Sequence, residues 1–173
     1  MQRHLLPHLP EDGVAFSGSS GGALVAAALC TGIDIGDLTE TVISCHRECQ
    51  FNPFRMLPCA EAAFRKYLPE DAHVRTTNRL RVLLTRVSRG WPFIRPEAMT
   101  DFETYDVLSG ALRASCHIPI FGGLWPYAVH SASGAVLGAF YDGLFWPSVF
   151  FSWRAFDRSD KILKVRSRAT REE

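Results

Sequence analysis

The stretch from Val14 to Gly32, VAFSGSSGGALVAAALCTG, limits what this chain can fold into more than any other. Val14-Ala15-Phe16 is a short apolar run. It passes through Ser17-Gly18-Ser19-Ser20-Gly21-Gly22 into the apolar run Ala23–Leu29. A strand over Val14–Ser17, a sharp glycine-rich turn and a buried helix over Gly22–Leu29 follow from that order. Gly32 stands where the left-handed residue that ends a helix is expected. Gly18 and Gly22 bracket Ser20 in a G-x-S-x-G pattern. A strand-to-helix elbow of this kind holds a serine hydroxyl exposed near the positive end of the helix dipole. Ser20 is therefore a candidate nucleophile. Without the P-loop lysine, which Ala23-Leu24 replaces, a phosphate cradle is the weaker chemical rival, and a tight structural turn is the plain one.

A chain of 173 residues is expected to form one domain with a real core. A net charge of +1 gives no electrostatic case for nucleic acid. Five irregularly spaced cysteines suggest a reducing, intracellular compartment rather than a disulfide framework. No apolar leader follows Met1-Gln2-Arg3-His4. Two windows free of charge, Val14–Ile33 and Ala114–Tyr141, are too interrupted by glycine or proline to be expected as membrane spans.

Asp37-Leu38-Thr39-Glu40 predicts a capping box, with Leu38, Val42, Cys45 and Cys49 on one face of its helix. Pro58 opens a helix to about Leu68. Asn78–Val87 alternates, predicting a strand with Leu80, Val82 and Leu84 inside and the arginines Arg79 and Arg81 on a solvated or edge-like face. Trp91–Arg95 is expected to return beside it. Thr100 and Glu103 predict a second capping box. Its helix, from about Glu103 to Ser115, turns Val107, Leu108, Ala111 and Leu112 inward. Ala135–Tyr141 reads as an apolar strand running into Asp142-Gly143, and Ile162–Val165 as a last strand. Alternating strands and helices favour an α/β layer fold.

A nucleophilic serine needs a base. His46, His73, His117 and His130 follow Ser20, with His117 and His130 the better placed. A carboxylate within hydrogen-bond reach serves as well. Asp142, which ends an apolar strand, is the candidate carboxylate, although Asp-Gly between apolar runs reads first as a common hairpin turn. Cys45-His46-x-x-Cys49, with Cys59 near, has poor metal spacing and reads as core cysteines. The arginine run from Arg79 to Arg95 reads as a solvated face. The dense aromatics from Phe140 to Trp153 read mainly as core, with an acyl pocket or a lipid surface as the alternative.

Three ordered blocks resemble the patatin-like phospholipases: FSGSSGGALVAAAL, LRASCHIPIFGG and AFYDGLFWP. The likeness runs from about Val14 to about Val165 and leans toward the triglyceride-lipase and adiponutrin-like branch. It implies a three-layer α/β/α sandwich over 14–166 with a central mixed, mostly parallel sheet, a remnant segment over 1–13 and a charged tail over 167–173. It implies a Ser20–Asp142 dyad in place of a triad, supported by Gly18, Gly21, Gly22 and Gly143. The implied reaction is hydrolysis of a phospholipid or acylglycerol ester, with no metal or organic cofactor, in the cytoplasm or peripherally at a membrane or lipid droplet.

Two positions depart from the family pattern. The family carries a glycine-rich oxyanion stretch upstream of the nucleophile, whereas ahead of this elbow the only glycine is Gly13. The first strand and that loop are therefore expected to be missing, leaving the Gly21 amide as one donor. Leu144 stands where the family often has Gly or Ala. A second expectation follows from the first departure: a truncated, non-catalytic relative that binds lipid or a partner.

Overall fold

The computed structural model describes residues 14–49 and 52–143, to which all structural statements refer. The expected segments 1–13 and 167–173, Leu144, the aromatics beyond Tyr141 and the strand Ile162–Val165 lie outside them.

The fold is α/β, as expected, with helices packed on a mixed five-stranded sheet. β1 (Phe16–Gly18) leads into α1 (Gly21–Thr31). α2 (Ile35–Cys49), a single 3₁₀ turn (Pro53–Arg55), α3 (Met56–Tyr67) and the short α4 (Ala72–Thr76) follow. Then come β2 (Leu80–Val87), β3 (Ile94–Met99), α5 (Tyr105–Ser115), β4 (Tyr127–His130) and β5 (Val136–Asp142). β1 pairs parallel with β2, while β2–β3, β2–β5 and β4–β5 are antiparallel. The parallel share is smaller than the sequence suggests. Short connections join β2 to β3 and β4 to β5, and short connections permit only antiparallel pairing.

β2 is the central strand, not an edge. Leu80, Val82 and Leu84 sit in the core, and Leu83 and Thr85 on its other face are buried too. Alternation at Arg79 and Arg81 marks only its entrance. α1, α4 and α5 close the core over Leu84, Val129 and Phe140, with Phe102, Leu108 and Leu112 wholly inside. Each such side chain contributes roughly 1.5–3 kcal/mol on burial. α1 carries alanine at 23, 26, 27 and 28, all buried, so its backbone can lie close to the sheet. Its outer face is not covered, however: Val25 is exposed.

Both helix starts shift from their expected boxes. Asp34, not Asp37, opens α2, its carboxylate accepting the Gly36 N–H at 2.6 Å. Thr104, not Thr100, caps α5 by accepting the Val107 N–H at 3.3 Å. On α2 the inward face runs through Leu38 and Cys49, and Val42 is exposed. β4 and α4 carry little local signal and were not expected. The predicted inner face of α5 and the predicted turn at Gly32 (φ 78°) stand as read.

Candidate active site

β3 pairs with Val82–Val87 along one edge of β2, overlapping the stretches that β1 and β5 use. β1 and β5 therefore share the opposite edge. Gly18 is level with Val82 and Asp142 with Leu84. The strands run in opposite senses, so their C-terminal ends face each other across Leu83. The chain after β1 holds Ser20, and Asp142 ends β5.

The elbow is strained in the way a nucleophile turn demands. Ser20 has φ 54° and ψ −135°, a conformation that non-glycine residues rarely adopt. Its hydroxyl makes no cap bond to its own helix. Gly18 is obligatory for a steric reason, because a Cβ there would overlap the Gly22 carbonyl. Gly21 and Gly22 have open space around them instead, at the exposed start of α1.

Asp142 is not in a hairpin turn. It is 2% exposed, its N–H donates to the His117 carbonyl at 2.9 Å, and its carbonyl accepts from the Thr85 hydroxyl at 2.8 Å. Gly143 is packed so closely that a Cβ would stand 2.5 Å from both the Leu83 carbonyl and the Ser19 hydroxyl. Close backbone approach, not turn geometry, is what this glycine supplies.

Three consecutive residues at the end of α5 join the two strand ends. The Ser115 hydroxyl accepts the Ser20 N–H at 2.8 Å and donates to the Leu83 carbonyl at 3.0 Å. The His117 carbonyl holds the Asp142 N–H. Between them, Cys116 shares a side-chain hydrogen bond with Ser20 and feels the Asp142 charge. Burial, and then Asp142, push its thiol from 9.0 up to about 12, so it stays protonated and is no nucleophile at neutral pH. From sequence alone, Ser115 and Cys116 have no assigned part in the site. The Ser-Cys-His run at a helix end, directly after an inward-facing helix, was the available signal.

The histidines separate clearly. The buried His117 ring donates through Nε2 to the Trp125 carbonyl at 2.9 Å and stacks near Tyr141, with centroids 5.9 Å apart. Its carbonyl, rather than its ring, serves Asp142. His130 is exposed on β4, and His73 contacts the Glu70 carbonyl on the surface. Cys45, Cys49 and Cys59 lie together between α2 and α3, with the Cys45 thiol 3.7 Å from the Cys59 carbonyl.

Known proteins bear on this arrangement. Patatin-like phospholipase domain-containing protein 2 of Rattus norvegicus is 33% identical over 131 residues, 72% of this chain and 27% of that protein. The chain belongs to the patatin-like phospholipase family. The 1-acylglycerol-3-phosphate O-acyltransferase Pnpla3 of Mus musculus is 30% identical over 127 residues, covering 69% of this chain and 30% of that protein. The omega-hydroxyceramide transacylase of Homo sapiens is 28% identical over 131 residues, 72% of this chain and 24% of that protein. This patatin-like chain thus spans under a third of the length of these relatives. No protein-family model and no solved structure matches it. Among the described residues, no helix is long and apolar enough to cross a membrane.

Proposed function

We propose that this patatin-like chain is a serine lipid acyl hydrolase in which Ser20 is the nucleophile and Asp142 its proton acceptor. The domain carrying this chemistry is taken as 14–166. The observation that supports the reading best is the meeting of β1 and β5 across Leu83, with Cys116 hydrogen-bonded to Ser20 and within the field of the Asp142 charge. In this reading the Ser20 Oγ forms a bond to the ester carbonyl carbon while its proton passes to Asp142. The tetrahedral oxyanion takes the Gly21 N–H as one donor. Collapse breaks the ester C–O bond, and the leaving alcohol takes the proton from Asp142. Water, deprotonated by Asp142, then attacks the acyl-serine; the second intermediate collapses by breaking the bond to Ser20 Oγ, which takes the proton back from Asp142, and the fatty acid leaves.

Gly18 lets α1 close on β1, Gly143 lets Asp142 approach the elbow, and Gly22 leaves the entrance open. The substrate class is a phospholipid or acylglycerol, met peripherally at a membrane or lipid-droplet surface. Two relatives carry the names of an acyltransferase and a transacylase. An acyl-serine of this kind can pass its acyl group to a hydroxyl acceptor instead of water by the same steps.

A fluorophosphonate probe tests the reading. It should label the wild-type chain at Ser20, and Ser20→Ala should remain unlabelled. Asp142→Asn should keep the fold and lose turnover of a short-chain ester. A folded wild-type chain that takes no label and turns over no ester would falsify the hydrolase and leave a non-catalytic lipid-binding relative.

A further inference from the structure

A cleft lies between α1, α3 and α5, and the helical period explains its lining. Leu57, Ala60, Glu61 and Phe64 fall at i, i+3, i+4 and i+7 and make one stripe of α3. Ser109, Leu112, Arg113 and Cys116 repeat that spacing along α5. Phe64 and Leu112 are buried and form the floor, while Leu57 and Ala60 are half-buried walls.

The cleft begins at the Ser20 elbow. Leu24 is its wall on α1, and the Leu24 N–H reaches back to the Ser20 carbonyl at 3.4 Å, which sets Leu24 one turn above the serine. Cys116, the last residue of the α5 stripe, is hydrogen-bonded to Ser20 through its side chain. An ester carbonyl on the Ser20 Oγ would therefore have the cleft beside one of its two arms. From Cys116 the α5 stripe leads away from Ser20 over two turns of helix, roughly 10 Å at the α-helical rise.

The chemistry of the lining selects the arm. Leu24, Leu57, Phe64 and Leu112 offer only carbon. The charged groups are already engaged with one another: Glu61 pairs with Arg113 at 3.1 Å and with Arg65 at 3.3 Å. The Arg113 guanidinium also lies over the Tyr127 ring, 4.8 Å from its centroid. A glycerol or phosphate headgroup would have to displace that ion pair, whereas an alkyl chain gains by burial against the apolar walls. We propose that the cleft between α1, α3 and α5 is an acyl-chain site, holding a medium-length fatty acyl group with its carbonyl at Ser20. The proposal rests on the lipid-ester reading of that elbow.

Two measurements test it. In the first, p-nitrophenyl acetate, octanoate and laurate are compared. kcat/KM should climb from acetate to octanoate, by up to about fourfold per methylene, and level off at laurate. Ala60→Phe, which fills the cleft from a half-buried position, should lower the octanoate-to-acetate ratio at least tenfold. Val74→Phe, at an exposed residue on α4, should keep the wild-type ratio. In the second, octanoic acid carrying a terminal diazirine is irradiated with the wild-type chain, and adducts are mapped by mass spectrometry. They should fall within 57–64 or 109–116 and be suppressed by excess octanoate. Adducts elsewhere, or protection by glycerol 3-phosphate in place of octanoate, overturn the proposal. So does an unchanged ratio in folded Ala60→Phe, or ester turnover with no chain-length preference, and both of these leave the hydrolase standing. Cross-linking in the cleft without ester turnover sinks the hydrolase and keeps the acyl site.

Discussion

The Ser115 hydroxyl accepts the backbone N–H of Ser20 at 2.8 Å, across 95 residues of sequence. The same hydroxyl donates to Leu83, at the point where β1 and β5 meet. One buried side chain thus pins the strained elbow to the central strand. Ser115→Ala removes both bonds and leaves the Ser20 amide and the Leu83 carbonyl unsatisfied. A loss of about 1–3 kcal/mol in stability is expected from urea unfolding. Probe labelling at Ser20 should slow more than this loss of folded population explains, because the elbow loses its anchor.

The two glycines of the motif should respond unequally. At Gly18 a Cβ would collide with backbone of Gly22 and Ala23, which cannot yield without moving α1 off the sheet. At Gly22 nothing stands within 4 Å. Gly18→Ala is expected to cost several kcal/mol, in the range of about 1–3 or more that overpacking incurs. Gly22→Ala should change stability by less than about 1 kcal/mol. Equal melting temperatures for the two variants would contradict this account of the elbow.

Ser20 pays a conformational cost for its position. Its φ of 54° is easy for glycine and hard for serine. Ser20→Gly should therefore raise stability by on the order of 1 kcal/mol while abolishing labelling. Ser20→Ala, which keeps the strain, should abolish labelling without that gain. Thermal unfolding of the two variants side by side measures the difference.

Cys116 sets a pH dependence with a definite sign. Burial and Asp142 raise its thiol from 9.0 to about 12 in the folded chain. Below pH 9 both folded and unfolded thiols are protonated, and the contribution is constant. Between pH 9 and about 12 the unfolded chain releases a proton that the folded chain keeps. Stability from this group then falls as pH rises, by up to about 1.4 kcal/mol per pH unit. Iodoacetamide at pH 8 should spare Cys116 in the native chain, where its thiol stays protonated, and modify it once the chain is unfolded. Mass spectrometry of the alkylated protein checks this, and rapid native-state labelling of Cys116 would contradict its raised pKa.

Sequence alone determined the elements whose signals are local. The all-apolar run after a glycine turn dictated α1, and Gly32 ended it, because a left-handed cap disfavours any side chain but glycine. The inward face of α5 followed from its helical period, and the α/β class from the order of elements. Tertiary structure decided where those elements meet. Asp142 reads as a hairpin turn until β2 is seen to carry β1 and β5 on one edge, end to end across Leu83. The register that does this pairs residues far apart in the chain, such as Leu84 with Asp142 and Thr85 with Tyr141. No local period encodes such a pairing, since its energy comes from ladders and packing completed only in the folded sheet. The same holds for the starts of α2 and α5, where Asp34 and Thr104 outcompeted residues with equally good capping chemistry. It holds for Ser115, Cys116 and His117 as well. Their sequence shows a helix end, and only the fold turns that end into a clamp between the Ser20 elbow and Asp142.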